Sequence, residues 1–229
     1  MILNRELDVH AGEMFLVRKP KGWTSFDVVN KIRGVFHVPK VGHAGTLDVM
    51  ATGLLIVCTG RKTKELEQFA GLEKEYHATM VLGACTESFD AETPVVEVHS
   101  TATITEDMVR ATVDTFVGYQ RQLPPMWSAA KVGGKRLYKY AREGITVERR
   151  QREILVRSIQ VTRVDVPEVD FTVVCSKGTY VRTLVDDIGR KLGCGAYLAA
   201  LERSRIGEYS LDDAVSIEDL VQYSIHRSN

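Results

Sequence analysis

Gly42-His43-Ala44-Gly45-Thr46-Leu47-Asp48-Val49-Met50-Ala51-Thr52-Gly53 is the stretch whose reading decides the fold. It sets one carboxylate, Asp48, among small residues, with a histidine five positions upstream. Glycines at 42, 45 and 53 permit positive φ and a close approach of backbone to a ligand. An aspartate in a Gly/Thr-rich turn also hydrogen-bonds its own backbone, so spacing alone leaves a turn role and a chemical role open. Directly after the loop, Leu54 to Cys58 is an unbroken apolar run, which predicts a buried strand.

Working outward, Glu13 to Val17 reads as a strand leading into a Lys-Pro-x-Gly turn, and Thr24 or Ser25 can cap a helix that places Phe26, Val29, Ile32 and Phe36 on one face. Tyr76, Ala78, Met80 and Leu82 alternate with His77, Thr79 and Val81 as in a half-buried strand. Val109, Val113 and Phe116 mark a helix, Gly133-Gly134 a hairpin turn, and 154–164 and 170–175 are β-branched strands. The clearest helix runs from about Tyr180 to Leu192, with Val181, Leu184, Val185, Ile188 and Leu192 on one face and Gly193 as its stop. Ser216 and Asp219 form a capping box for a last short helix. Strands and helices interleave without strict βαβ alternation, which predicts an α+β fold with a mostly antiparallel sheet. No repeat or linker divides the chain, so one continuous domain over 1–229 is expected.

With 44% hydrophobic residues the chain can bury a substantial core, and nothing suggests disorder. The net charge is zero, yet residues 131–163 hold ten Lys or Arg against three Glu, while 206–220 carry five acids and no base. One basic face on a neutral protein keeps a nucleic-acid partner possible. The cysteines at 58, 85, 175 and 194 show no C-x-x-C spacing, which points to no disulfide framework and no metal site. His10, His37, His99 and His226 share no ligand-like spacing and receive no role. Residues 1–6 lack a signal peptide and no apolar run reaches membrane-spanning length, so a soluble cytoplasmic protein is expected.

Four ordered motifs between residues 19 and 207 resemble those of the TruB family of pseudouridine synthases. Lys19-Pro20-Lys21-Gly22-Trp23-Thr24-Ser25 is similar to its first motif and Gly42 to Gly53 to its catalytic one. Lys74-Glu75-Tyr76 and Cys175 through Arg182 resemble the second and third. The resemblance implies the pseudouridine synthase fold, a mostly antiparallel mixed central sheet flanked by helices, and isomerisation of a T-loop uridine of tRNA (position 55 in tRNA numbering) by base flipping. It implies Asp48 as the catalytic carboxylate and Arg182 as its ion-pair partner. Tyr76 would stack on the flipped uracil, Tyr180 and Leu201 would touch it, and His43 would act as a wedge filling the vacated stack. Product and substrate are isomers, so no cofactor, redox group or metal is expected; a monomer is expected too.

The stretch from Gln122 to Arg142 mixes cations with aromatics and resembles the family's mobile, T-arm-clamping insertion, expected at about 121–153. Lys131, Lys135, Arg136, Lys139 and Arg142 are its candidates for RNA backbone contact; Lys19 either fixes structure or touches phosphate. A run of this kind is also what a solvated face looks like. Three departures stand out. Val49 occupies the place of a usual proline after the aspartate, Thr86-Glu87-Ser88-Phe89-Asp90 has serine for the second threonine of a T-x-T-x-D element, and 210–229 reads as a short tail without the full C-terminal RNA-binding domain of many relatives. Two other functions stay open: an RNA-binding or tRNA-folding protein without turnover, and a synthase for another hairpin shaped like the T loop.

Overall fold

The computed structural model describes residues 6–227; the N-terminal residues 1–5, read above as lacking a signal peptide, lie outside the described residues, as do 228–229. In chain order the elements are β1 (Met14–Lys19), α1 (Ser25–Phe36), β2 (Val41–Ala44), β3 (Thr52–Thr59), α2 (Leu66–Gly71) and β4 (Lys74–Leu82). Next come β5 (Ala84–Thr86), β6 (Val95–Val98), α3 (Glu106–Asp114), β7 (Gly118–Gln122), β8 (Lys131–Val132), β9 (Lys135–Arg136), α4 (Leu137–Arg142), β10 (Arg152–Asp165) and β11 (Glu168–Cys175). The chain ends with α5 (Val181–Leu192), β12 (Ala196–Ile206), β13 (Tyr209–Ser210) and α6 (Ile217–Arg227). Two compact units result: the described residues up to Tyr76 together with those from Leu201 onward, and residues 77–200. No helix of the described residues is long and apolar enough to cross a membrane.

In the first unit everything is organised by β3. Leu55 and Val57 point to one face, where they pack with Phe15 and Val17 of β1, Val28, Val29 and Ile32 of α1, and Leu220 of α6. Leu54, Ile56 and Cys58 point to the other, against Ala44, Phe69, Ile206 and Leu211. A strand covered on both faces needs apolar residues at every position, which is why this segment shows no alternation in the sequence. The β1 strand runs antiparallel along one edge of β3, from Met14 opposite Cys58 to Lys19 opposite Gly53. The other edge is shared. Strand β12 runs parallel to β3 at Thr52 and Gly53, and β2 takes over antiparallel from Ile56 to Thr59.

The helix α1 opens with the capping box of Thr24 and Asp27. Its inner stripe is Ser25, Val28, Val29 and Ile32, with Phe36 partly buried and stacked on Phe15 at 5.6 Å. Phe26, expected on the inner face, is 58% exposed, because the buried stripe starts one residue earlier and leaves position 26 beside solvent. The box at Ser216 and Asp219 forms as expected, each backbone N–H meeting the other residue's side chain at 2.9–3.0 Å, and it starts α6, whose Ile217, Leu220 and Tyr223 join the core.

In the second unit the strand order is β4–β11–β10–β7. Strands β10 and β11 form a long antiparallel hairpin and β7 pairs antiparallel with the start of β10. The helix α3 packs on β10 and α5, burying Val109 and Val113. Gly193, in the left-handed conformation, ends α5 where expected. The architecture is α+β with mixed, mostly antiparallel pairing, as the interleaved pattern predicts.

Candidate active site

Asp48 lies half-buried in the loop between β2 and β3, and the loop's shape is set by its neighbours. The Ser25 hydroxyl accepts from Leu47 N at 2.9 Å and donates to Leu47 O at 3.3 Å, so the residue before Asp48 is held on both sides. The Asp48 carbonyl accepts from Ala51 N at 3.1 Å, closing the turn. Gly22 N donates to Val49 O at 2.9 Å. Lys19, fully buried, donates through Nζ to Trp23 O at 2.6 Å, Pro20 O at 3.0 Å and Val49 O at 3.4 Å. Of the two roles open to Lys19 in the sequence, these surroundings are those of a structural cation that ties the first motif to the Asp48 loop. They also account for Val49: its carbonyl is anchored from two sides, so the loop does not depend on a proline's fixed φ.

Beneath the loop sits Arg203, the largest fully buried side chain among the described residues. Its Nε donates to Leu54 O at 2.7 Å, the carbonyl at the fork where β12 leaves β3 and β2 has not yet begun, and a terminal nitrogen reaches Gly45 O at 3.2 Å. A buried guanidinium is costly unless its donors are used, and here they satisfy carbonyls that no strand reaches. Gly53 makes the approach possible: at φ +104°, a Cβ there would lie 2.4 Å from Arg203 O and 2.6 Å from Arg203 N. Gly53→Ala is therefore expected to lower unfolding free energy by roughly 2–3 kcal/mol, through overpacking against rigid backbone and a φ that alanine resists. Chemical denaturation checks this, and an unchanged midpoint would contradict the tight β3–β12 contact.

His43 lies on β2 opposite Val57, half-buried. Burial first, and then the Arg203 cation, push its pKa below the ordinary histidine value, against a weaker opposing pull from Gly45. The ring is accordingly neutral at pH 7. Its Nδ1 is buried and has no hydrogen-bond partner among the described residues.

The Lys74-Glu75-Tyr76 motif is anchored residue by residue. Lys74 Nζ donates to Ala70 O and Leu72 O, both at 2.6 Å, and so holds the end of α2. Glu75 accepts from Ser204 Oγ at 2.9 Å and Arg205 at 3.0 Å. Tyr76 falls on the buried side of the strand alternation, at 8% exposure, and Leu201 is equally buried on β12. Asp48, His43, Tyr76, Leu201, Lys19 and Arg203 thus all belong to the first unit.

Tyr180 and Arg182 belong to the second. The helix α5 has no side-chain cap; instead Gln122 grips the Tyr180 backbone from both sides, its Oε1 accepting from Tyr180 N at 2.8 Å and its Nε2 donating to Tyr180 O at 3.0 Å. Arg182 lies in the first turn of α5, where the helix dipole disfavours a cation, and is 4% exposed. A terminal guanidinium nitrogen meets Asp90 Oδ2 at 3.0 Å, and Asp90 is fully buried. The other Asp90 oxygen accepts from Ser88 Oγ at 2.5 Å and Glu92 N at 3.0 Å, while Thr86 Oγ1 donates to the Asp90 carbonyl at 2.7 Å. Every polar member of the Thr86-x-Ser88-x-Asp90 element is therefore used to hold one carboxylate against Arg182.

The basic segment folds as the β8–β9 hairpin, turning at Gly133-Gly134 as expected, followed by α4, with Leu137 buried as its anchor. Lys131, Arg136, Lys139 and Arg142 are exposed. Lys135 is engaged: its Nζ meets Glu143 at 2.6–2.7 Å and lies 4.4 Å from the centre of the Tyr140 ring.

Two functional features escaped the sequence reading. Arg203 carries no local signal, since a lone arginine in a run of mixed polarity reads as a surface residue. Asp90 had one, the T-x-S-x-D spacing, but what it holds becomes visible only with the fold.

Residues 33–181 match the model of the TruB family pseudouridylate synthase N-terminal domain, and residues 182–229 that of a tRNA pseudouridylate synthase B C-terminal domain. Among similar proteins, the tRNA pseudouridine synthase B of Parabacteroides distasonis is 47% identical over 220 residues, covering 93% of this chain and 94% of that protein. The protein of the same name from Chlorobium luteolum is 50% identical over 214 residues, covering 91% of this chain and 74% of that one. Among solved structures, one of a Cbf5-Nop10-Gar1 complex aligns at TM-score 0.75 and 28% identity, covering 96% of this chain and 56% of the other. A structure of an H/ACA RNP bound to a substrate RNA containing 2′-deoxyuridine aligns at TM-score 0.73 and 27% identity, over 96% and 55%. With both family domains matched end to end and close to half of all residues shared with such relatives, the chain belongs to the TruB family of pseudouridylate synthases.

Proposed function

We propose that this protein isomerises a uridine of tRNA to pseudouridine, and that its target is the T-loop uridine at position 55. The observation that carries this reading is Asp48, a carboxylate on a loop held by backbone and buried-cation bonds, in a chain that matches tRNA pseudouridine synthases over nearly its whole length. The reaction breaks the bond from ribose C1′ to N1 of the base, turns the base, and joins C1′ to C5. The C5 proton leaves and N1 gains one, so atoms balance without a further reactant. An ionised Asp48 supplies the lone pair, at the sugar or at the base or by taking the C2′ proton; each route needs the same fixed carboxylate against an extruded nucleotide.

Extrusion costs a few kcal/mol of lost stacking. Tyr76 offsets part of it by stacking on the uracil, worth about 1–3 kcal/mol. A neutral His43 suits the vacated place between bases, because an uncharged ring enters a stack without stripping water from a cation. Tyr180 and Leu201 contact the same nucleotide, and Arg182 orients the carboxylate.

Exposed Lys131, Arg136, Lys139 and Arg142 form the phosphate track. Lys139→Ala or Arg142→Ala should weaken tRNA binding and flatten the plot of log affinity against log salt by about one unit of slope each. Lys135→Ala should change the slope less, since Glu143 already neutralises that charge. Fluorescence anisotropy over a salt series reads all three; unchanged slopes in the first two would place the RNA track elsewhere.

The function itself is tested with tRNA transcribed from 5-tritiated uridine and with an isolated T-arm hairpin. One equivalent released from tRNA, lost when position 55 is cytidine, supports the reading, and release from the hairpin adds that the loop is recognised by itself. Binding without release would leave an RNA-binding protein; release that survives the cytidine substitution would move the target.

A further inference from the structure

The β5–β6 hairpin carries a second chemical cluster, remote in sequence from the Asp48 loop. Cys85 and Glu97 are directly paired across the two strands, so their side chains leave the same face. His99 follows Glu97 by two residues and shares that face by the period of a strand. A thiol sulfur, a carboxylate oxygen and an imidazole nitrogen therefore gather there, all within 4.8 Å of one another. The Glu97 oxygen and His99 Nε2 are already 3.2 Å apart. Zinc binds such atoms at about 2.0–2.3 Å, which sets tetrahedral ligands roughly 3.3–3.8 Å from each other. The widest separation, at most 4.8 Å, exceeds that spacing by only about 1 Å.

Three neighbours strengthen the case. Gly195 provides the room: a Cβ there would lie 2.5 Å from Cys85 Sγ and 3.5 Å from the His99 ring. A cavity of about 440 Å³ opens on the cluster and is lined by Cys85, Glu97, His99, Asp186 and Arg190. Buried Asp186 is paired to Arg190 at 2.8 Å, so the one Lys or Arg lining this pocket among the described residues is already neutralised. An exposed Glu–His pair by itself contributes little and leaves the thiol unexplained.

We propose that Cys85, Glu97 and His99 form a binding site for a divalent cation of the zinc class, with a fourth coordination position open to the Asp186 pocket. Mixed sulfur, nitrogen and oxygen donors suit zinc rather than magnesium or calcium, which take oxygen alone. On binding, the Cys85 thiol gives its proton to solvent and its sulfur lone pair to the metal; nothing is oxidised. The site lies where the loop bearing Asp90 leaves the hairpin, so the metal fastens the base of that loop. The sequence expectation of no metal rested on ligand spacing, and a spacing of twelve and fourteen residues is invisible until the strands pair.

The test is a titration of the full-length, untagged chain with Co(II), followed by its absorption. One equivalent should bind with a thiolate-to-cobalt charge-transfer band in the near ultraviolet, and Zn(II) should displace it. Cys85→Ser should abolish the band, and His99→Ala or Glu97→Gln should weaken binding about tenfold or more. His99 and Glu97 are exposed, so these two variants decide the matter even if the first fails to fold. Absence of saturable binding, a band unaltered by Cys85→Ser, or an unchanged affinity in both His99→Ala and Glu97→Gln would overturn the proposal.

Discussion

Asp48→Asn should leave a folded protein that binds tRNA and releases no measurable tritium from 5-tritiated uridine, a fall of roughly 10³-fold or more in rate. Asparagine keeps the shape and volume of the side chain and removes only its charge and basicity. The bonds that shape the loop run through Ser25, Lys19, Gly22, Arg203 and the carbonyls of Leu47, Asp48 and Val49. They persist in the variant, so its loop conformation is retained and the loss reads out chemistry. The comparison that isolates this is single-turnover release beside anisotropy with the same tRNA. A variant retaining more than about a tenth of the wild-type rate would remove Asp48 from its role, since a positioned nucleophile or base contributes at least two orders of magnitude. A matching loss of tRNA affinity would instead mean that the charge serves binding.

Much of this was legible because it is local. Capping boxes, the stop at Gly193, the Gly133-Gly134 turn and the strand alternation around Tyr76 depend on a few neighbouring residues, whose physics the sequence displays. The run from Leu54 to Cys58 was legible for the opposite reason: a strand buried on both faces must be apolar throughout. What stayed hidden depends on partners far along the chain. Arg203 reads as a surface residue until β12 is known to lie against β3, 149 positions from Leu54, and to leave a carbonyl that only a long side chain can reach. The strand β12 carries no strand signal of its own, because Ala196-Tyr197-Leu198-Ala199-Ala200-Leu201 has helical propensity, which its strand partners override. Lys19 reads as a phosphate ligand as readily as a structural cation until the three carbonyls around it are in place.

Asp90→Ala should cost about 3–5 kcal/mol of stability, the range for removing one partner of a buried ion pair. The reason lies in the asymmetry of burial. Asp90 has no exposed surface and Arg182 has 4%, so water cannot take the place of the lost carboxylate oxygen at that guanidinium nitrogen. Its place in the first turn of α5 adds a dipole of unfavourable sign that Asp90 opposes. The variant also takes one acceptor from the Ser88 hydroxyl and from the Glu92 N–H, which meet that carboxylate at 2.5 and 3.0 Å. For a chain of this length the melting temperature should fall by about 10 °C. Asp90→Ala combined with Arg182→Met separates the pair from the packing: it removes charge from both sides and fills most of the space with apolar atoms. Such replacements are often neutral, so the double variant should regain much of what Asp90→Ala loses. Tritium release should not return with it, because the proposed orientation of Asp48 needs the guanidinium that the methionine lacks. A double variant as unstable as the sum of the two single ones would show that Asp90 and Arg182 act independently. Full activity in it would confine the pair to holding the β5–β6 turn on α5, and another group would have to orient the carboxylate.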